Sequence, residues 1–207
     1  IGMVIRNVKT GAVVAAGNYN ETNLIKFAQW IVDWLVKYPR LTLIIEKKSS
    51  GSGGIIDYII LYLVSKGIDP FRRLYNRIVQ CQDEYPAEFA LINKPMYTRP
   101  SELYDRFKKY FGYSSSATGA NSRSELYGNV FLNSVKLTGH LTHDKILIGQ
   151  ILGLVIKNNR IDHSVSGHDD MVVAWNMSAY LLLQGKNLRF YGIDNREVLS
   201  LNNDAQK

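Results

Sequence analysis

An α/β fold is predicted by three features of the sequence. Two alternating segments flank a glycine turn at the start of the chain. A β-branched, almost wholly apolar run at 41–46 lies between two stretches of helical periodicity. Last, a second strand-like run precedes a long apolar helix near the end of the chain. The order hairpin, helix, buried strand, helix is that of a layered α/β domain.

Taken in order, Ile1–Asn7 and Ala12–Asn18 form a hairpin about the turn Lys9-Thr10-Gly11, where Gly11 accepts a positive φ. Leu24, Phe27, Ala28, Ile31 and Leu35 recur at helical spacing, and Pro39 ends that helix. Leu41-Thr42-Leu43-Ile44-Ile45-Glu46 reads as a central strand covered on both faces. It empties into the polar loop Lys47-Lys48-Ser49-Ser50-Gly51-Ser52-Gly53-Gly54, and a strongly apolar helix follows from Ile55 to about Ser65.

From Asp69 to about Asn133 the periodicity fades, tyrosines alternate with basic residues, and Tyr113–Ser124 is rich in Ser, Gly and Asn. Lys145–Leu154 is helical in pattern. Leu154-Val155-Ile156 begins a short strand before the turn Lys157-Asn158-Asn159-Arg160, and Met171–Leu183 is a clear apolar helix. The stretch from Asn187 to Lys207 is expected to hold a short strand and a polar tail. With no repeat and no linker, residues 1–207 read as a single domain.

Composition limits the function. At 46% hydrophobic and 21% charged, the chain buries a core and is not a disordered segment. No apolar run reaches the roughly 18 residues of a membrane span. The lone cysteine, Cys81, excludes an internal disulfide and a cysteine-rich zinc site. The net charge of +7 is uneven: residues 66–160 carry fourteen basic side chains against eight acidic, residues 161–207 four against six. A basic middle beside an acidic end suits a polyanion gripped next to waiting carboxylates. Arg72, Arg73, Arg77, Lys108, Lys109 and Arg123 are the candidate phosphate contacts.

Two acidic positions stand out. Glu46 ends the apolar run just before the glycine-rich loop, at the carboxyl edge where ligands collect in open α/β sheets. An ion pair with Lys47 or Lys48 is the simpler structural account of it. Gly167-His168-Asp169-Asp170 stands immediately before the late helix. One aspartate suffices to cap a helix. Two of them, with a histidine beside them, offer oxygen donors to a hard divalent cation. His140 and His143 lack a zinc-binding context, and Gly51-Ser52-Gly53-Gly54 lacks the ending of a nucleotide-binding phosphate loop, so ATP hydrolysis is not expected.

These pieces together resemble the C-terminal nuclease domain of the large terminase subunit of tailed bacteriophages, from Ile1 to about Leu183. The resemblance rests on the hairpin, on Leu43-Ile44-Ile45-Glu46 with its Ser/Gly loop, and on Asn159-Arg160-Ile161-Asp162-His163 leading to Gly167-His168-Asp169-Asp170-Met171-Val172-Val173-Ala174. A loose Thr118/Ser122-Arg123 match lies between these landmarks. It implies an RNase H-like mixed sheet flanked by helices, two Mg²⁺ or Mn²⁺ ions, and endonucleolytic cutting of concatemeric double-stranded DNA during genome packaging. Glu46 matches the acid ending the second catalytic strand. Asp169 and Asp170 match the acidic pair, at least one of which binds metal, and His168 orients the cluster from behind.

The resemblance also implies an ATPase domain in the same polypeptide, portal and small-subunit partners, no membrane, and work in the host cytoplasm. One departure follows. In that family a strand bearing an essential Asp precedes the hairpin, so the chain is expected to be a fragment lacking that strand. Another RNase H-like nuclease, such as a junction resolvase, would share the acids. A non-catalytic basic module docking to DNA or portal would share only the charge.

Overall fold

In a computed structural model, residues 1–47, 53–115, 122–157, 160–164 and 167–198 are described. In chain order the elements are β1 (Gly2–Arg6), β2 (Val13–Asn18), α1 (Leu24–Lys37), α2 (Gly53–Ser65), α3 (Pro70–Arg73), α4 (Arg77–Gln80), α5 (Pro86–Ile92) and α6 (Leu103–Phe107). Then come α7 (Arg123–Glu125), α8 (Phe131–Thr138), α9 (Lys145–Leu152), β3 (Leu154–Lys157), β4 (Arg160–His163) and α10 (Asp170–Gln184). The fold is α/β, its strands forming two small antiparallel hairpins, β1–β2 and β3–β4.

The chain divides into two units, each assembled from segments separated in sequence. One comprises Ile1–Asn20, Ser115–Gly185 and Ile193–Lys207; the other comprises Glu21–Ser114 and Lys186–Gly192. No linker is needed in the sequence because the chain crosses between the units several times.

In the first unit the opening hairpin forms as its sequence predicts. Gly11 closes the turn at φ +74°, and the Asn7 side chain accepts from the Lys9 and Thr10 N–H groups at 2.9 and 3.2 Å. Tyr127, Leu147, Met171, Val172 and Trp175 form the buried cluster, with Val4, Val13 and Ala16 of the hairpin packed against it. Arg6 joins three sequence-distant segments. It donates to the Gly11 carbonyl at 3.0 Å, to Thr138 Oγ1 at 2.9 Å and to Ser178 Oγ at 3.1 Å, and lies over the Trp175 ring at 4.7 Å. Burial among these neutral acceptors lowers its pKa to about 10.

The second unit is built on α1 against α2. Helix α1 starts at Asn23, whose side chain accepts from the Ile25 and Lys26 N–H groups, and it buries Phe27, Ala28, Ile31, Val32 and Leu35. Helix α2 buries Ile55, Ile56, Ile59, Ile60 and Leu63. Phe71 stacks with Phe111 at 4.7 Å and Tyr104 at 5.7 Å, beneath a bidentate Arg99–Asp69 pair at 2.8 and 2.7 Å.

Two expectations are corrected. The run 41–46 is not a doubly covered central strand. Its residues are half-buried, and it pairs only through isolated parallel bridges, Leu43 with Leu74 and Glu46 with Tyr113. Leu43 N–H donates to Arg73 at 2.8 Å, Tyr75 N–H to Leu43 at 2.8 Å, Tyr113 N–H to Ile45 at 2.7 Å and Lys47 N–H to Tyr113 at 2.7 Å. Residues 43, 45 and 47 alternate by two, so all four bonds use one edge. The partners are short because Asn76 turns at once to cap α4 and Gly112 breaks the other segment at φ +86°.

The second correction concerns 187–198. In place of a strand there are two 3₁₀ turns, Leu188–Tyr191 and Asn195–Glu197. The first is held by the second unit's own polar groups: Lys186 N–H donates to Gln80 Oε1 at 2.8 Å, and Asn187 Nδ2 to the Val79 carbonyl at 2.8 Å. Residues 199–207 lie outside the described part.

Candidate functional site

The acidic pair stands at the start of α10. Asp169 occupies the position from which a side chain normally caps a helix, yet its carboxylate makes no capping bond. The α10 N-terminus is served instead by a neighbouring helix: Gln150 Oε1 of α9 accepts from the Met171 N–H at 3.0 Å. Asp169 is thereby released for other contacts. The Tyr127 hydroxyl donates to Asp169 Oδ2 at 2.7 Å, and Arg123 forms an ion pair with the same oxygen.

Arg123 and Tyr127 are four residues apart, one turn along a continuous helical stretch, and so share a face. Ser122 starts that stretch by accepting from the Glu125 N–H at 3.0 Å, and a π-helical turn over Leu126–Val130 follows. The Arg123 guanidinium lies 4.9 Å from the Tyr127 ring centre. It also reaches Asp162 of β4, with Nη2 3.5 Å from Asp162 Oδ1. One cation therefore serves two carboxylates from separate elements.

Exposure differs across this group. The Asp169 side chain is 12% exposed, whereas those of Arg123 and Asp162 are 45% and 43% exposed. Burial, then the hydrogen bond to Asp169, pushes the Tyr127 phenol far up, so it remains a proton donor. The backbone N–H of His163, donating at 2.9 Å, holds the Asp162 carboxyl below its usual range, and Arg123 adds to this. For Arg123 itself, burial works against the charge, but Tyr127, Asp169 and Asp162 together raise its pKa.

Asp170 and His168 are exposed. The Asp170 backbone packs against Gly2 of β1, so the hairpin abuts the acidic turn. Glu46 belongs to the second unit and is half-buried at the end of the extended run. Its neighbour Lys47 sends its ammonium to the Lys109 carbonyl at 3.0 Å, and Lys48 lies outside the described residues. So does Thr118 of the Thr/Ser-Arg segment.

The six basic residues have divergent roles. Arg73 donates to the carbonyls of Leu35, Tyr38 and Leu41 at 2.6, 2.9 and 2.9 Å, closing the end of α1. Arg72 donates to the Phe190 carbonyl and to Asn93 Oδ1, both at 3.0 Å, and stacks 3.8 Å from the Phe190 ring centre. Arg77 is exposed and paired with Glu84 at 3.0 Å. Lys108 and Lys109 are exposed, the latter 5.1 Å from the Tyr110 ring centre. Arg123 belongs to the carboxylate group.

Among the described residues, no group of three or more His, Cys, Asp or Glu side chains is gathered as a metal cage. Asp162 and Asp169 nevertheless present hard oxygen donors to a single positive charge. Mg²⁺ is commonly held by one or two carboxylates with water and substrate phosphate completing its shell, so the pair suits such an ion in kind. Sequence reasoning passed over Asp162 and Tyr127. The first sat within the motif Arg160-Ile161-Asp162-His163; the second was signalled only by its spacing of four from Arg123.

Comparison of the chain with protein-family models, with curated proteins and with solved structures gives no match.

Proposed function

We propose that this chain is an RNase H-like, metal-dependent endonuclease domain of a viral DNA-packaging terminase large subunit, acting on concatemeric double-stranded DNA. The observation that carries the reading is Asp169. An acid placed to cap a helix is relieved of capping by Gln150 and joins Asp162 on one cation. It stands in the segment where the terminase resemblance expects a metal ligand.

In this reading Asp169 and Asp162 would hold Mg²⁺ or Mn²⁺. Asp170 and Glu46 enter through the resemblance. When bound, the divalent ions supply Lewis acidity toward a phosphodiester. The chain's own part is to bind and orient. Tyr127 fixes one Asp169 oxygen and keeps its proton, while exposed Lys108, Lys109 and Arg77 neutralise backbone phosphates without reading bases. Binding then falls steeply with salt. An ATPase domain of the same polypeptide, portal and small-subunit partners, and work in the host cytoplasm belong to this proposal.

The test is cleavage of supercoiled plasmid with Mn²⁺ or Mg²⁺, with an EDTA blank. Metal-dependent nicking that is lost in Asp170→Asn, Asp169→Asn and Glu46→Gln supports the assignment. Undiminished cutting by all three variants would overturn it. DNA binding with no metal effect and no nicking would point instead to a docking module.

A further inference from the structure

The Asp162–Asp169 pair is bridged by a positive charge that belongs to the chain and stands half in solvent. Two carboxylates facing each other repel, so their meeting needs a cation between them. Here that cation is Arg123, whose side chain is 45% exposed and which starts a helix capped independently by Ser122. Tyr127 secures Asp169 separately, so the carboxylate keeps its orientation if the guanidinium departs.

Resting on the nuclease reading, we propose that Arg123 is an exchangeable internal counterion. In the free protein it holds Asp162 and Asp169; on DNA it passes to a backbone phosphate and leaves both carboxylates to a divalent ion. The chemistry favours the exchange, because the guanidinium fork fits a phosphate as it fits a carboxylate. The charges favour it too. Two carboxylates with one guanidinium retain a net negative charge, which a divalent ion in its place would cancel. A phosphate brought in with the DNA also offers the ion a further oxygen donor.

Linkage makes the coupling reciprocal: whatever factor DNA adds to metal affinity, metal adds to DNA affinity. Arg123 would thus keep the site empty of metal until substrate arrives, and would change allegiance rather than simply add to the basic surface.

The experiment is calorimetric titration of the whole chain with Mn²⁺, with and without a short blunt duplex, for the wild type, R123Q, R123K and D169N. The expected result is Mn²⁺ binding about tenfold tighter in R123Q than in the wild type without DNA. The duplex should strengthen binding to the wild type by a similar factor and to R123Q little. R123K, which keeps the charge but loses the fork, should fall between, and it serves as the readout should R123Q fail to fold. Equal or weaker binding in both Arg123 variants, with D169N abolishing it, would overturn the exchange while leaving the nuclease reading intact. No Mn²⁺ binding by any form would overturn both.

Discussion

Gly2 and Asp170 touch through their backbones: a β-carbon added to Gly2 would stand 2.3 Å from the Asp170 carbonyl carbon and 2.4 Å from the Met171 nitrogen. The first strand and the acidic turn are thus fitted against each other, and no side chain fits between them. Gly2→Ala should cost about 2 kcal/mol, since the displaced atoms are backbone and cannot swing away. Urea unfolding checks this. A stability equal to the wild type would show that the hairpin does not abut α10 in solution.

The release of Asp169 from capping gives a contrast between two variants. Gln150→Ala removes the acceptor that serves the Met171 N–H and should cost about 1 kcal/mol. Asp169→Asn keeps an acceptor for Tyr127 and should cost less, while removing the partner of Arg123. The reverse order in thermal or urea melts would show that the charge pair with Arg123, rather than the Gln150 cap, carries the stability of this turn.

Buried phenols set the alkaline limit. Burial raises the pKa of Tyr127 and of Tyr191, the former also through Asp169. The folded chain therefore keeps protons that the unfolded chain releases near the ordinary tyrosine pKa of about 10. Stability is fully present below that pH and falls as pH rises through it. Absorbance at 295 nm should show a late class, Tyr127 and Tyr191 among it, that ionises only with unfolding. Tyr127→Phe should remove one member of that class. An unchanged late class would place Tyr127 in solvent.

Arg73 was a candidate phosphate contact from its sequence neighbourhood, but its donors go to three carbonyls at the end of α1. Arg73→Ala should destabilise the chain by about 2 kcal/mol by stranding those acceptors, and lysine should not rescue it, because a single ammonium cannot span them. Neutral effects on stability, with weakened DNA binding in a filter assay, would restore the phosphate role.

Asn176 is fully buried on α10, and neither its amide nitrogen nor its oxygen meets a partner among the described residues. Leucine matches its branching with no polar atoms; the relief of desolvation, less some crowding by the larger methyls, should leave Asn176→Leu more stable by about 1 kcal/mol. A loss of stability would mean that the amide is satisfied in solution.

Elements stamped with a single period were legible. The opening hairpin announced itself by alternation and Gly11. Helix α1 was marked by its apolar spacing and the stop at Pro39, and α10 by its unbroken apolar run. The short helices α3 to α6 were not legible, because four to seven residues do not establish a period and their caps, such as Asp69 and Asn76, read like ordinary loop polars. The run 41–46 misled because β-branched residues signal extension, which it has, but not the length of its partners.

The candidate site was half legible. Asp169 and Asp170 stood out by their place before a helix. The link from Asp169 to Tyr127 and Arg123 spans more than forty residues, a distance over which pairings leave no local trace.

Arg6 finally bears on how the chain is made. Its guanidinium meets groups 132 and 172 residues downstream, and the second unit likewise needs Lys186–Gly192 to close. A ribosome delivers the amino-terminal end first, so the hairpin emerges long before anything it packs against exists. Neither unit can complete its core before residues 170–192 have been made. A nascent chain halted at residue 160 would carry two unfinished cores.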